Sequence, residues 1–160
     1  MISFLITLCA FVSMEFMAWF THKFVMHGFL WIIHVDHHDK RNENSWFERN
    51  DLFFFIFAFP SIILFLIGVD GGLSYHFFIG LGILLYGIAY FTVHDIFIHR
   101  RFKVLRNTKS AYFLALRKAH KAHHKKLGRH DGECFGMLIV PWKYYREARH
   151  TLRQKNGHGA

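Results

Sequence analysis

Ten of the fourteen histidines in this 160-residue chain fall into four short patterns. His22 and His27 form H-x4-H, and His34, His37 and His38 form H-x2-H-H. His94 and His99 repeat the first pattern, and His120, His123 and His124 repeat the second. Neutral imidazole ligates iron, zinc, copper or nickel. Residues i, i+3 and i+4 of a helix share a face. The spacing therefore predicts that each H-x2-H-H turns several ring nitrogens toward a shared centre. Residues five apart on an undistorted α-helix diverge by roughly 140°, so His22 and His27 either reach different metals or sit where a helix is ending. Ten ligands exceed what one tetrahedral or octahedral ion uses, and two metals is the economical count.

Other metal chemistries fit poorly. A structural zinc site closes with four Cys or His ligands, whereas the clusters hold ten histidines and no cysteine. A soluble carboxylate-bridged di-iron bundle needs paired Glu-x-x-His motifs, and a single one occurs, Glu147 with His150 in a basic tail. The zincin pattern HExxH is absent. Transporter sites lie near the bilayer midplane, but these histidines follow the ends of apolar segments. Cys9 lies in an apolar run and Cys134 far from it, which predicts reduced thiols.

The elements that carry the histidines are apolar. Residues 2–20, 52–69 and 73–93 form three segments long enough to cross a hydrocarbon core of about 30 Å as helices, and Glu15 is the one charge among them. The expected fold is all-α and integral to the membrane, a single domain over residues 1–160. It has about three transmembrane helices and cytoplasmic helices carrying a histidine-rich di-metal site. No Lys or Arg precedes the first segment, which argues against a cleaved signal peptide. The link between the second and third segments, Asp70 to Gly72, carries no Lys or Arg; all twenty basic residues fall in 21–51 and 94–160. By the positive-inside rule those two regions are cytoplasmic, in a multi-pass protein of the inner membrane. The net charge of +9 then describes a basic cytoplasmic face rather than a nucleic-acid-binding protein. All ten patterned histidines fall on that face.

The four patterns in this order resemble the fatty acid hydroxylase superfamily of membrane di-iron enzymes and, within it, the bacterial β-carotene hydroxylases. The stretches "HKFVMHGFLWIIHVDHH", "ERNDL", "YGIAYFTVHDIFIHRRF", "AHKAHH" and "GECFGMLIVP" carry the likeness, from about Glu15 to Pro141. The resemblance implies two iron ions held by the ten histidines, with O2 as co-substrate and a reduced ferredoxin-type carrier as electron donor. It implies insertion of oxygen at carbon 3 of the β-carotene rings, giving β-cryptoxanthin and then zeaxanthin. Zinc can take the place of iron in a purified sample. An unactivated C–H offers no acid–base handle, so a redox metal must carry that step. Two rivals remain open: a hydroxylase or desaturase of another membrane lipid, such as a fatty acid or sterol, and a non-redox zinc-binding membrane protein.

Several further residues carry expectations. Asp36 and Asp95, and less so Asp39, are candidates to accept imidazole N–H groups. Glu15 must face protein or water, because a charge in lipid is costly. His76, His130, His150 and His158 are expected not to be ligands. "RKAHKAHHKKLGR" (117–129) reads as a basic surface for an acidic electron carrier or anionic headgroups. Phe135 to Trp142 is too short to span and is expected to dip into the interface. A carotenoid pocket would be lined mainly by Phe, Leu, Ile and Trp.

Overall fold

The computed structural model describes residues 1–39, 47–102 and 108–157, and among them every regular element is helical. Helix α1 (Ile2–Phe20) runs on through a π-helical segment, Thr21–Phe29. Helix α2 (Trp31–His38) follows after the kink at Gly28. A 3-10 turn (Arg49–Asp51) leads into α3 (Leu52–Asp70), and α4 (Tyr75–Phe91) continues into a second π-helical segment, Thr92–Ile98. Two amphipathic helices complete the fold, α5 (Ala111–His124) and α6 (Trp142–Gly157). Residue 158, where one histidine was expected to be no ligand, lies outside the described residues.

Three continuous helical stretches are long and apolar enough to cross a membrane: Ile2–Phe29, Arg49–Asp70 and Tyr75–Ile98. They contain the first two expected segments and most of the third, and the protein is a membrane protein. The third helix begins at Tyr75 rather than Leu73. Gly72 and Leu73 have φ of 69° and 60°, a left-handed turn that breaks the helix before Ser74. Pro60 lies within α3 without ending it.

Helix α4 packs between α1 and α3. Small residues let the backbones approach: a Cβ at Gly82 would stand 2.5 Å from the Thr7 carbonyl oxygen. The Ser61 hydroxyl donates to the Gly80 carbonyl (2.9 Å) and the Thr7 hydroxyl to that of Phe78 (3.2 Å), tying both neighbours to α4. Because α1 and α4 run the same way, both π segments emerge at one end of the bundle, where α2 and the 3-10 turn also lie. Ala115, Ala119, Tyr144 and Ala148 pack α5 against α6; the hairpin covers that end through Leu116, which packs with Val93, Phe97 and Ile98 of the second π segment, and Arg117 fastens it, donating to the Phe97 carbonyl (2.8 Å) and stacking on the Phe97 ring. Arg117 is thus buried, while Lys121, Lys125, Lys126 and Arg129 keep the rest of that stretch a basic surface. Both cysteines are free.

Candidate metal centre

The π segments resolve the five-residue spacing. A π turn is bonded i→i+5, and the His99 N–H donates to the His94 carbonyl at 2.9 Å, as Leu30 does to Val25 at 3.0 Å. Residues five apart therefore stand on one side, and each H-x4-H serves one centre.

The H-x2-H-H patterns are split, contrary to the expectation of one shared centre each. Adjacent helical residues diverge by about 100°, so His37 and His38 face different ways, as do His123 and His124. One group contains His22, His27, His34, His38 and His123, with one ring nitrogen of each within 4.8 Å of every other. The second contains His37, His94, His99 and His120 by the same measure, and His124 joins it with Nε2 at 2.8 Å from His120 Nε2. Each half of the chain thus gives four rings to its own group and one, His37 or His123, to the other. All ten patterned histidines meet at this end of the bundle. His76 lies at the far end against Ser74 and Tyr75, and His130 and His150 are exposed.

Outward-facing acceptors fix the rings. In the first group, Nδ1–H of His22 donates to the Phe135 carbonyl (3.0 Å), that of His27 to Arg129 (3.2 Å), and that of His123 to Glu133 (2.9 Å). His34 donates to Asn50 Oδ1 at 2.6 Å. In the second group the acceptors are carboxylates: Glu48 for His37 (2.7 Å) and Asp95 for His94 (3.1 Å). Arg101 lies against Asp51, Asp95 and Glu48 at 2.9, 3.2 and 3.6 Å. Asp36 accepts the Arg49 backbone N–H (2.6 Å) and so holds the turn that carries Glu48 and Asn50.

With Nδ1 protonated, Nε2 presents a lone pair. His22 Nε2 lies 3.2 Å from His34 Nε2, His27 Nε2 3.2 Å from His123 Nε2, and His37 Nε2 3.1 Å from His94 Nε2. In each pair both Nδ1 atoms already donate to oxygen, so no proton is left to bridge the two nitrogens. Protonating them is costly: burial, reinforced by neighbouring imidazoles, holds His34, His38 and His123 down at about 3. The same causes push His37, His99, His120 and His124 well below their ordinary value. Neutral rings with lone pairs converging at this distance fit a shared cation, and the donor set suits a transition metal. Burial raises Glu48 to about 7 against the opposing pull of Arg101.

Aromatic rings shut water from the first group: Phe135 packs on His22, His27 and His123 at 5.1–5.4 Å, and Trp31 on His27, His34 and His38 at 5.0–5.8 Å. Tyr90 lies against His94 at 5.1 Å. Two apolar grooves mark the membrane-facing surface, one along Ile2, Leu5, Ile6 and Cys9 of α1 with Ile79 of α4, and one along Phe55, Phe59 and Ile62 of α3. Neither is lined by a patterned histidine, so neither is the expected pocket ending at the metals.

Sequence reasoning had not singled out Glu48 and Asn50 as orienting groups, although "ERNDL" stood out as a motif; its polar residues directly before an uncharged span were the available signal. The three carbonyls had no signal, since every residue carries one.

The chain matches the fatty acid hydroxylase family over residues 7–145. It is 36% identical over 153 residues to the β-carotene hydroxylase of Pantoea ananas, covering 96% of this chain and 85% of that one. The β-carotene hydroxylase of Pseudescherichia vulneris is 35% identical over 153 residues, 96% of this chain and 84% of that one. A chloroplastic β-carotene 3-hydroxylase from an Oncidium hybrid cultivar is 39% identical over 133 residues, 80% of this chain and 42% of that one. No solved structure matches the chain at a significant level. With its ordered histidine patterns, its membrane helices and these relatives, the chain belongs to the fatty acid hydroxylase family, in the company of the bacterial β-carotene hydroxylases, and is a hydroxylating oxidoreductase.

Proposed function

We propose that the protein is a β-carotene 3-hydroxylase with two iron ions, held by His22, His27, His34, His38 and His123 on one side and His37, His94, His99, His120 and His124 on the other. The observation that carries this reading is the set of facing Nε2 atoms whose Nδ1 partners leave no proton between them. The similarity to β-carotene hydroxylases along nearly the whole chain supports the substrate.

The overall reaction is ring C–H + O2 + two electrons + two protons → ring C–OH + H2O, once per ring, through β-cryptoxanthin to zeaxanthin. Iron bound there supplies the activation of O2, which no side chain of the set can perform. The protein's part is to position and to shield. Glu48, Asp95, Asn50 and three backbone carbonyls hold six of the ten imidazoles in one tautomer. Arg101 compensates the carboxylates behind the second group. Phe135 and Trp31 keep water from the first group. The exposed Lys121, Lys125 and Lys126 suit an acidic, ferredoxin-type donor. The basic charge of this end supports a cytoplasmic side of the inner membrane for it; reporters fused after Gly72 and at the C-terminus should report opposite compartments.

The deciding experiment is expression in cells that accumulate β-carotene, followed by pigment analysis. Zeaxanthin and β-cryptoxanthin are expected. Unchanged carotene with newly hydroxylated or desaturated fatty acids or sterols would move the assignment to another lipid. Bound zinc without any oxygen consumption would overturn the redox reading.

A further inference from the structure

Glu15 is the one charged side chain of α1, and it is buried, about two helical turns before His22. Four donors meet it. The Tyr86 hydroxyl donates to Oε2 at 2.7 Å. The backbone N–H groups of Met137, Leu138 and Ile139 each donate to Oε1 at 2.9 Å, and Leu138 also lies 3.0 Å from Oε2. Successive amides that converge in this way form an anion cradle. Gly136 stands at its mouth, where a Cβ would come within 3.0 Å of Glu15 Oε1.

The segment held by this cradle is the one behind the first histidine group. Phe135 and Glu133, whose carbonyls fix His22 and His123, lie just before Met137. Cys134 and Asp131 adopt left-handed conformations, with φ of 62° and 64°. Side-chain-bearing residues stay in that region only where the surroundings over-determine them. The second group takes its orienting acceptors from Glu48 and Asp95 and none of those described from this segment.

We propose that Glu15 is the positioning residue of the first metal centre: it fastens Met137–Ile139 to α1 and thereby sets the carbonyls that aim His22 and His123, while toward the second π segment Met137 and Leu138 make apolar contacts with Val93, Phe97 and Ile98 and supply no orienting acceptor among the described residues. The assignment rests on the two-metal reading above.

The test measures ferrous iron bound per full-length chain, purified in detergent without oxygen, and needs no turnover. Two irons are expected for the unmodified chain, and one each for His27→Ala and His99→Ala. Glu15→Leu is expected to hold one. Added to His99→Ala it should leave none; added to His27→Ala it should remove nothing further. Glu15→Gln keeps an oxygen for the amides and should retain two irons, a rescue that a mere loss of folding would not show. Gly136→Ala crowds the carboxylate and should weaken the same centre by about tenfold, within the range typical of groups that orient metal ligands. It serves on both backgrounds if Glu15→Leu does not accumulate. Two irons retained by Glu15→Leu, or an unchanged iron affinity of the first centre in Gly136→Ala, would overturn the proposal, as would equal losses on the two histidine backgrounds. Failure of His27→Ala and His99→Ala each to remove one iron would instead overturn the two-metal reading, and the proposal with it.

Discussion

His22 and His94 hold equivalent places, each heading an H-x4-H pattern on a π turn, yet the atoms behind them differ. His22 leans on the Phe135 carbonyl and His94 on the Asp95 carboxylate. The contrast extends to the groups they belong to: the first is backed by three backbone carbonyls and one amide, the second by Glu48 and Asp95 beside Arg101. A carboxylate behind an imidazole makes it a more basic ligand. One spacing has thus produced two inequivalent ring groups: the second would be the better electron donor to a metal, and the first is the better enclosed, by Phe135 and Trp31.

Removing a ring that crosses between halves has the largest expected effect. His37→Ala should strip the second centre although the residue lies in the first half of the sequence, and His123→Ala should strip the first. Each should cut hydroxylation by more than about 100-fold, the upper range for loss of a mere outer partner. Metal analysis on backgrounds that lack the other centre checks the crossing; loss from the group of the residue's own half would break the comparison.

Next come the backing groups. Glu48→Gln should weaken metal at the second centre by about 10–100-fold and leave the first unchanged. Asn50→Ala should act on the first alone and less strongly, since a neutral amide polarises His34 less than a carboxylate polarises His37. Metal titrations of the two variants compare them directly; equal losses would remove the distinction between backings.

The pH dependence is smaller and shared. His34, His38 and His123 titrate at about 3 in the fold and near 6.5 when unfolded. Between those values the unfolded chain binds more protons, so folded stability is fully present above about 6.5 and is lost as pH falls toward 3. Glu48, raised to about 7, acts in the opposite sense between its unfolded value of 4.5 and 7, but the rings outnumber it. Thermal unfolding of the metal-free chain between pH 7.5 and 5 should show a falling midpoint; a rising one would contradict the neutral cage.

The smallest effect is expected at His76 and His150. Alanine at either should leave metal content and activity intact and change stability by no more than about 0.5 kcal/mol. Metal loss at either position would extend the site beyond the ten rings.

Much of this was legible in the sequence, and what was not has physical causes. The three membrane helices follow from uncharged runs, and the gathering of ten histidines at one end follows from their places after those runs. The partition between groups was hidden because it depends on a bonding register: only i→i+5 turns bring His22 to the side of His27, and only the divergence of neighbours separates His37 from His38. Glu15 was legible as an anomaly, but its partners lie more than seventy positions away, three of them backbone amides that no side-chain pattern reveals.

The central claim is an O2-dependent hydroxylation of a carotenoid ring at a histidine-held pair of metals. Its most direct test supplies the iron-loaded protein with β-carotene, a reduced ferredoxin and 18O2, and reads the product by mass spectrometry. One heavy oxygen in each new ring hydroxyl, with the polyene intact, is the predicted result. Unlabelled hydroxyl groups, or carotene left unchanged while two irons are bound, would contradict it.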